Sequence, residues 1–426
     1  MTSGPSLLGR AAPRVPSSRG TVRQGRLGTV RDTFLPFSPP SLGEAEIEEV
    51  IDTLRSDWIT TGPKVKRFEA DFAAYLGAPD ALAVFSCTDA LQVALAALGV
   101  GPGDAVFTTT MTFCASAHVV EHLGATPILV DIDATSLNID PLALAKVIDE
   151  VKAEGRLTPK AMIPVHHSGH PCEMDELFAL ARRHNLAVIE DAAHAVPARY
   201  KGGMIGAPRD EGVPHGIAFS FYATKNLTTA EGGMLTGTPS LVEEARLWAL
   251  HGMSRDAWKR YGKGGSWFYE VIRPGFKCNM TDLQASLGIH QLKRLDGFQS
   301  RRREVVAAYS AAFGAMPELQ VPVERPEVSS AWHLYVLRLN LETLTIDRGA
   351  FIDLLTEENI GVSVHFIPLH MHPFYRDKYA LTPELFPVAQ GEYERMISLP
   401  LNPRLSDADV ADVIEAVTSI VVAHRA

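Results

Sequence analysis

The sequence predicts an α/β fold with a mostly parallel sheet in a large domain, followed by a smaller C-terminal α+β domain. From residue 35 onward, short apolar runs alternate with segments of helical periodicity. This alternation is typical of a parallel sheet covered by helices on both faces. Beyond about residue 285 the pattern changes and opens with a long, charged helical stretch. A chain of 426 residues with 46% hydrophobic residues is long enough to form both cores.

Six apolar runs are candidate strands, and helical patterns separate several of them. The strands are predicted at residues 81–85, 105–109, 127–130, 161–165, 186–189 and 217–221, and the helices at 90–98, 114–122, 141–152 and 174–184. Ligands collect at the carboxyl ends of the strands in sheets of this kind. Functional side chains are therefore expected directly after these runs.

The C-terminal region has its own order of elements. They are predicted as a helix at 283–313, a strand at 332–339, a helix at 348–358, a strand near 362–366 and a helix at 407–424. The pattern predicts three parts. They are a tail at 1–34, a large domain at 35–285 and a small domain at 286–426.

Residues 1–34 differ in composition from the rest of the chain. They are rich in Arg, Ser, Gly and Pro, contain six arginines, and have Asp32 as their only acidic residue. This composition favours a disordered tail, because it offers little apolar surface to bury. A targeting peptide is the alternative, since Arg-rich, acid-poor segments can have that role, although no amphipathic helix is evident.

Composition excludes several classes of function. The formal net charge of −10 argues against a nucleic-acid or anionic-membrane surface. The four cysteines have neither close pairing nor metal spacing, which indicates reduced thiols. No apolar run reaches membrane-spanning length and no signal peptide is visible, so a cytoplasmic protein is expected.

Lys225 carries the strongest chemical signal, in a polar turn of small residues after the apolar run at 217–221. Asp191 comes after the run at 186–189 in the same way. An amine and a carboxylate at the ends of neighbouring strands suit a Schiff-base cofactor, since the amine holds an aldehyde and the carboxylate a protonated ring nitrogen. This arrangement is typical of pyridoxal phosphate (PLP). Lys225 and Asp191 are the predicted catalytic residues, with Lys225 also moving the proton between the two carbons.

Other side chains lie where they could hold the same cofactor. Cys87 and Thr88 stand at the start of a predicted helix, whose free backbone N–H groups suit a phosphate. The hydroxyl of Ser220 could reach that phosphate. Phe113 could stack on the flat ring, and His194 could hydrogen-bond the ring hydroxyl oxygen. The helix start at Cys87 and Thr88 could be an ordinary N-cap, and Phe113 could be a core residue. Only the convergence of these residues on Lys225 favours the cofactor site.

Five motifs, in order along the chain, resemble the DegT/StrS group of nucleotide-sugar aminotransferases. They are WITTGPK at 58–64, EDAAHA at 190–195, SFYATKNLTTAEGG at 220–233, GFKCNMTD at 275–282 and SLPL at 398–401. The resemblance covers the chain from about residue 35 to the C-terminus. It implies a PLP enzyme of the aspartate aminotransferase fold type I, a homodimer with shared active sites, and L-glutamate as the usual amino donor.

The resemblance gives the residues named above the same roles that their chemistry suggests. It adds Asn279, which would be lent by the partner subunit to the phosphate. Cys87 and Ala230 stand where glycine is frequent in the group, although cysteine also occurs at the first position. Neither change removes a catalytic group.

The substrate implied by the resemblance is a keto-sugar nucleotide. Residues 164–170 (PVHHSGH) and 364–370 (VHFIPLH) resemble the version found in enzymes that aminate C-4 of a keto sugar. The C-3 enzymes more often have a Leu-Tyr-Gly-Gln version of the first segment. A C-4 ketone on a UDP-, dTDP- or GDP-sugar is therefore favoured, with a C-3 keto sugar or a cyclitol ketone as the alternative. The candidate sugar contacts are Thr60, Thr61 and His365.

Three other functions are less consistent with these residues. The histidines in residues 166–170 and 365–372 could be imagined as metal ligands, but no nearby carboxylate or cysteine completes a set, so no metal is predicted. Related proteins with histidine at the lysine position act as dehydratases, which the presence of Lys225 argues against. A regulatory PLP-fold protein would be expected to have lost Lys225 or Asp191, and the tail is too short for a helix-turn-helix domain.

Overall fold

The computed structural model describes residues 31–209, 212–253 and 268–426, so most of the predicted tail lies outside it. The helices are α1 (Glu44–Arg55), α2 (Pro63–Leu76), α3 (Cys87–Ala97), α4 (Ala115–His122), α5 (Pro141–Glu154), α6 (Met174–His184), α7 (Pro239–Trp248), α8 (Asp282–Phe313), α9 (Arg348–Glu357), α10 (Pro373–Tyr379), α11 (Pro387–Arg395) and α12 (Asp407–Ala423). The strands are β1 (Ala81–Val84), β2 (Asp104–Thr109), β3 (Thr126–Val130), β4 (Thr158–Ile163), β5 (Ala187–Asp191), β6 (Arg199–Tyr200), β7 (Gly203–Met204), β8 (His215–Ser220), β9 (Gly233–Gly237), β10 (Leu319–Gln320), β11 (Val328–Ser329), β12 (Tyr335–Leu339) and β13 (Met396–Leu399).

A seven-stranded sheet in the order β1-β9-β8-β5-β4-β2-β3 organises the first part of the chain. Strand β2 pairs in parallel with β3 and β4, β4 with β5, and β5 with β8. Only β9 departs, running antiparallel to both β8 and β1. The prediction of a mostly parallel sheet is therefore confirmed.

The register of the sheet brings several strand ends to one edge. Asp191, the last residue of β5, lies beside Ala218 of β8. Ser220, which ends β8, lies opposite Gly233, and Gly233 also lies opposite Val84 at the end of β1. The segments that come after β1, β5 and β8 therefore leave the sheet at the same edge.

Gly233 allows β9 to press against the start of α3. A Cβ atom at this position would lie 2.3 Å from the carbonyl carbon of Ser86, closer than any side chain can approach. Ser86 itself is the N-cap of α3, and its hydroxyl accepts a hydrogen bond from the backbone N–H of Asp89 at 3.0 Å. This contact fixes the helix N-terminus at the edge where the strands end.

Two hydrophobic cores share the long helix α8. Its first half contributes Ala285 and Leu292 to the core beneath the large sheet. Its second half contributes Tyr309 and Phe313 to the core of the three-stranded sheet β10-β12-β13. The predicted domain boundary at residue 285 falls within this helix and stays a prediction.

Sequence and structure agree closely on the strands of the large sheet, and they differ in the C-terminal region. The strand predicted near 362–366 makes only a single bridge, between Ser363 and Ser398. The end of the predicted tail contacts the small domain, because Arg31 pairs with Asp409 at 2.8 Å. Leu35, the first residue of the predicted large domain, is buried in the small core. Within the described part of the chain, no helix is long and apolar enough to cross a membrane.

Candidate active site

A cavity of about 350 Å³ opens where β1, β5 and β8 end. Eight of the eleven residues predicted as cofactor or substrate contacts line it, namely Cys87, Thr88, Phe113, Asp191, His194, Ser220, Lys225 and His365. The small domain contributes His333 and Phe366, which the sequence did not single out. The cavity has the size of an ordinary small-molecule site.

Lys225 lies in the turn after β8. Its backbone N–H donates a hydrogen bond to the carbonyl of Tyr222 at 2.9 Å, which closes the turn. The side chain reaches into the cavity but is otherwise surrounded by protein. Burial lowers the pKa of the Lys225 amine to about 8, although the charge of Asp191 opposes this shift. About a tenth of the amine is therefore neutral, and nucleophilic, at pH 7.

Asp191 is held by hydrogen bonds to both carboxylate oxygens. Oδ1 accepts from the backbone N–H of Ala193 at 3.1 Å, and Oδ2 accepts from the hydroxyl of Ser116 at 2.7 Å. The thiol of Cys87 lies 3.9 Å from Oδ1, and burial raises its pKa well above the ordinary value, so it stays protonated. Ser116 belongs to no motif that the sequence offered.

His194 presents a buried imidazole nitrogen without a partner. Its Nδ1 has no hydrogen bond within the described chain, and the ring stacks on Phe366 with centroids 5.7 Å apart. Burial, together with the nearby charge of Lys225, holds the pKa of His194 well below its ordinary range. A buried polar atom without a partner is rare in native proteins and indicates a missing ligand or water.

His333 has a fixed tautomer beside His194, with ring centroids 4.3 Å apart. The side-chain amide of Asn226 donates to the carbonyls of Val196 and Ala331 at 3.0 and 2.8 Å. The amide oxygen of Asn226 must therefore accept the hydrogen bond from Nδ1 of His333, at 3.1 Å. This leaves Nε2 of His333 as an acceptor. Burial holds the pKa of this histidine well below its ordinary range.

Three predicted contacts lie outside this cavity. Thr61 and Asn279 line a second cavity of about 560 Å³ together with Trp58, and the amide of Asn279 donates to the hydroxyl of Thr61 at 2.6 Å. The carbonyl of Thr60 accepts from the backbone N–H of Asp282 at 3.0 Å. Within one chain these residues do not meet Lys225.

Comparison with known proteins identifies the family. The model of the DegT/DnrJ/EryC1/StrS aminotransferase family matches residues 40–418. The chain belongs to this family. The resemblance seen in the sequence motifs is thereby confirmed, and the protein is an enzyme of the sugar aminotransferase type.

Relatives of this aminotransferase match over nearly their whole length. The spore coat polysaccharide biosynthesis protein SpsC of Bacillus subtilis is 51% identical over 395 residues, which cover 92% of this chain and 98% of SpsC. The putative sugar aminotransferase Spr1654 of Streptococcus pneumoniae, in its PMP form, has a TM-score of 0.83 and 36% identity, covering 91% of this chain and 99% of that one. Its PLP form has a TM-score of 0.81 and 35% identity, covering 92% and 99%.

A further solved relative is DesV of S. venezuelae, in complex with a ketimine intermediate. It has a TM-score of 0.79 and 33% identity, covering 91% of this chain and 99% of its own. These structures confirm the expected fold of the aminotransferase, a type I fold with a mostly parallel central sheet.

The backbone of the aminotransferase explains one departure from the family pattern. Ala230 has φ +66°, the left-handed conformation in which glycine is favoured. Its backbone N–H donates to the hydroxyl of Thr228 at 3.0 Å, which holds this turn between Lys225 and β9. The backbone therefore favours glycine at this position for conformational reasons, independently of the chemistry.

Replacing Ala230 by Gly should stabilise the enzyme by about 0.5–1 kcal/mol, because the strain of a Cβ atom in the left-handed region exceeds the entropy that glycine adds to the unfolded chain. Chemical denaturation measures the change. The same replacement at Ala145, within α5, should have the opposite sign, since glycine costs about 1 kcal/mol inside a helix. A loss of stability at both positions would contradict the explanation.

Proposed function

We propose that this enzyme moves an amino group from L-glutamate to the C-4 ketone of a keto-sugar nucleotide, with PLP as its cofactor. The observation that carries the proposal is that Lys225 and Asp191 face one cavity at the carboxyl ends of neighbouring strands. The PLP and PMP forms of the Streptococcus pneumoniae relative support the cofactor. A C-3 keto sugar or a cyclitol ketone is the alternative substrate.

The residues of the cavity fit PLP. The unpartnered Nδ1 of His194 suits an oxygen on the ring, and Phe113, which is 60% exposed, offers a free aromatic face. Thr88 and Ser220 present hydroxyl groups beside the N-terminus of α3, which suits the phosphate. When bound, PLP supplies an aldehyde that exchanges the amino group and a ring that stores an electron pair.

The chain itself supplies positioning and proton movement. The amine of Lys225 would hold the cofactor, and Nζ, with a pKa of about 8, can take up a proton from the substrate carbon and return it near neutral pH. The carboxylate of Asp191 would accept a hydrogen bond from the ring nitrogen and stabilise its positive charge. His194, His333 and Phe366 form one side of the cavity.

Contact between two sequence segments supports the C-4 ketone. Segments 164–170 and 364–370, each similar to the C-4 version, meet where Nε2 of His167 donates to the carbonyl of His365 at 3.0 Å. Nδ1 of His365 is bonded to the hydroxyl of Ser398 at 2.9 Å, which orients its ring in the cavity wall. His365 is therefore the proposed sugar contact, and its pKa, lowered to about 3 mainly by burial, keeps it neutral.

The proposed assembly is a homodimer in the cytoplasm, with each subunit lending Asn279 to its partner. Asn279 is outside its own cavity, and apolar side chains near it are exposed, among them Phe85 at 48% and Trp58 at 37%. A partner would bury such side chains. Because Thr61 is hydrogen-bonded to Asn279, a dimer that places Asn279 in the partner subunit's cavity would also bring Thr60 and Thr61 close to the sugar bound there. The free thiols suit a reducing compartment.

The purified enzyme should show a visible absorption band with PLP that L-glutamate converts to that of pyridoxamine phosphate. Lys225→Ala should lose this conversion by a factor of about 10³ or more, because no other amine lines the cavity among the described residues. Lys201→Ala, at an exposed lysine outside the cavity, is the matched control and should behave as the wild type. A wild-type band that ignores glutamate would rule out this amino donor.

Keto-sugar nucleotides with the ketone at C-4 or at C-3 are then offered to the glutamate-treated enzyme. Nuclear magnetic resonance of the product locates the carbon that bears nitrogen. Amination at C-4 supports the proposed substrate. Amination at C-3 alone would overturn the position and leave the aminotransferase assignment intact.

Uptake of PLP by the cofactor-free enzyme should accelerate with pH and level off near pH 8. Only the neutral amine bonds to the aldehyde, and below a pKa of about 8 its fraction rises tenfold per pH unit. Initial rates of band formation measure this, and N-α-acetyllysine in the same buffers corrects for titration of PLP itself. A rate that keeps rising to about pH 10, as for an ordinary lysine, would contradict the lowered pKa.

Mixed dimers test whether the active site is shared. Lys225→Ala and Asn279→Ala subunits, each inactive alone at limiting PLP, should recover about a quarter of wild-type activity after random mixing, because half the dimers then contain one intact site. Lys225→Ala mixed with Asp191→Asn is the control. It should recover nothing, since both residues belong to the same chain's cavity. Equal recovery in both mixtures would exclude the lent asparagine.

A further inference from the structure

A chain of two hydroxyl groups ends on the carboxylate of Asp191. Ser116 lies in the first turn of α4 and is fully buried. Its Oγ is 2.7 Å from Oδ2 of Asp191 and 2.8 Å from Oγ1 of Thr112, which is also buried. Thr112 lies in the short segment between β2 and α4, so the chain of hydroxyls links β2, α4 and β5.

The direction of these hydrogen bonds follows from their chemistry. An ionised carboxylate can only accept, so Ser116 must donate its single proton to Asp191. Thr112 then donates to the oxygen of Ser116. The carbonyl of Phe113 is also within reach of Ser116, but at 3.4 Å it is the weaker acceptor. The order of donation is therefore from Thr112 to Ser116 to Asp191.

Each oxygen of the carboxylate then has one close donor, and the thiol of Cys87, at 3.9 Å from Oδ1, is a more distant contact. Oδ1 is held by the backbone of Ala193 and Oδ2 by Ser116. Hydrogen bonds in a chain polarise one another, so Thr112 strengthens the bond that Ser116 makes. Without Ser116 the carboxylate would be fixed at Oδ1 alone and could rotate about that contact.

We propose that Ser116, supported by Thr112, is a positioning residue that fixes the carboxylate of Asp191 for its hydrogen bond to the cofactor's ring nitrogen. The proposal rests on the proposed function, because it needs PLP in the cavity. The relay would hold the carboxylate against the ring nitrogen, and a negative charge held there keeps that nitrogen protonated. A purely structural role, tying α4 to β5, would leave the protonation of that nitrogen unchanged.

The direct readout is the ¹⁵N resonance of PLP labelled at its ring nitrogen and bound to the full chain, because its chemical shift reports protonation. Wild type should show a protonated nitrogen at neutral pH that loses its proton at a measurable alkaline midpoint. Ser116→Ala should lose the proton at a pH lower by about one unit, as expected for one charge-assisted hydrogen bond. Its turnover with L-glutamate should fall about tenfold with KM nearly unchanged.

Three variants separate positioning from folding. Ser116→Thr keeps the hydroxyl and should restore the wild-type ¹⁵N titration. Thr112→Val should give a smaller shift than Ser116→Ala, and the double variant should be no worse than Ser116→Ala alone, since the two hydroxyls act in series. Ser286→Ala is the matched control, because Ser286 is equally buried and its hydroxyl donates to the carbonyl of Leu283 at 2.7 Å, within α8.

The outcomes are distinct. A nitrogen equally protonated in wild type and Ser116→Ala overturns the relay, even if activity falls. If Ser116→Ala does not fold, Thr112→Val provides the test. If the ring nitrogen of that variant loses its proton at the same pH as in wild type, the proposal is overturned. A wild-type chain that does not bind PLP would instead be a failure of the proposed function.

Discussion

The register between β5 and β8 is the constraint on which the site depends. Asp191 reaches the cavity only because it pairs beside Ala218, on the face of the sheet that α3 covers. Side chains alternate between the two faces of a strand, so a slip of one residue would turn Asp191 away and place Glu190 in the cavity. A strong specification of this register is therefore essential to the proposed chemistry.

Glu190 supplies that specification on the opposite face. Its two carboxylate oxygens are each 2.6 Å from Nε2 of a buried histidine, His166 on one side and His215 on the other. Nδ1 of His166 accepts a hydrogen bond from the backbone N–H of Cys172. The proton of this imidazole is therefore on Nε2, which donates a hydrogen bond to Glu190. Burial alone would raise the pKa of Glu190, but these hydrogen bonds outweigh it and hold the pKa well below its ordinary range. A buried anion satisfied on one face cannot move to the other without losing both donors.

The two adjacent carboxylates thus have different roles on the two faces of β5. Glu190 is satisfied entirely by the chain, and its network joins β5 to the start of β8 and to the segment after β4. Asp191 keeps capacity for a ligand, because its close donors from the chain are one backbone N–H and one hydroxyl, and the thiol of Cys87 is 3.9 Å away. The carboxylate that does no proposed chemistry is the one that fixes the position of the carboxylate that does.

Residues at strand ends were predictable from the sequence. Asp191 and Ser220 lie at the ends of strands and Lys225 lies in the turn after one. A parallel sheet gathers such ends at one edge, so their meeting required no knowledge of side-chain packing. The order of the motifs then pointed to the family. The sequence did not predict the antiparallel strand β9, because its glycine-rich start is typical of a turn. In the structure, Gly233 instead allows the close approach of β9 to Ser86.

Residues that reach the cavity from a helix or from the small domain could not be found in this way. Ser116 is one of many small residues in an apolar helix, and only the fold, which brings the start of α4 beside the end of β5, gives it a partner. His333 was placed in a strand at 332–339, yet β12 begins at Tyr335 and the preceding residues form an irregular segment that ends at the cavity. Long-range packing places Ser116 and His333 at the cavity, and the local periodicity of the sequence cannot predict such packing.

The residues of the proposed amino transfer and the proposed sugar contact line the cavity from two different parts of the chain. Lys225, Asp191 and the N-terminus of α3 belong to the large sheet, whose register is fixed by buried hydrogen bonds. His365 and Phe366 belong to a segment with a single bridge to β13, so their backbone is held far less tightly by neighbouring strands. Changes in that segment can reshape the pocket for a different keto sugar while the amine and the carboxylate stay in place. The proposed C-4 preference therefore resides in the contact between His167 and His365, and it can evolve independently of the amino transfer.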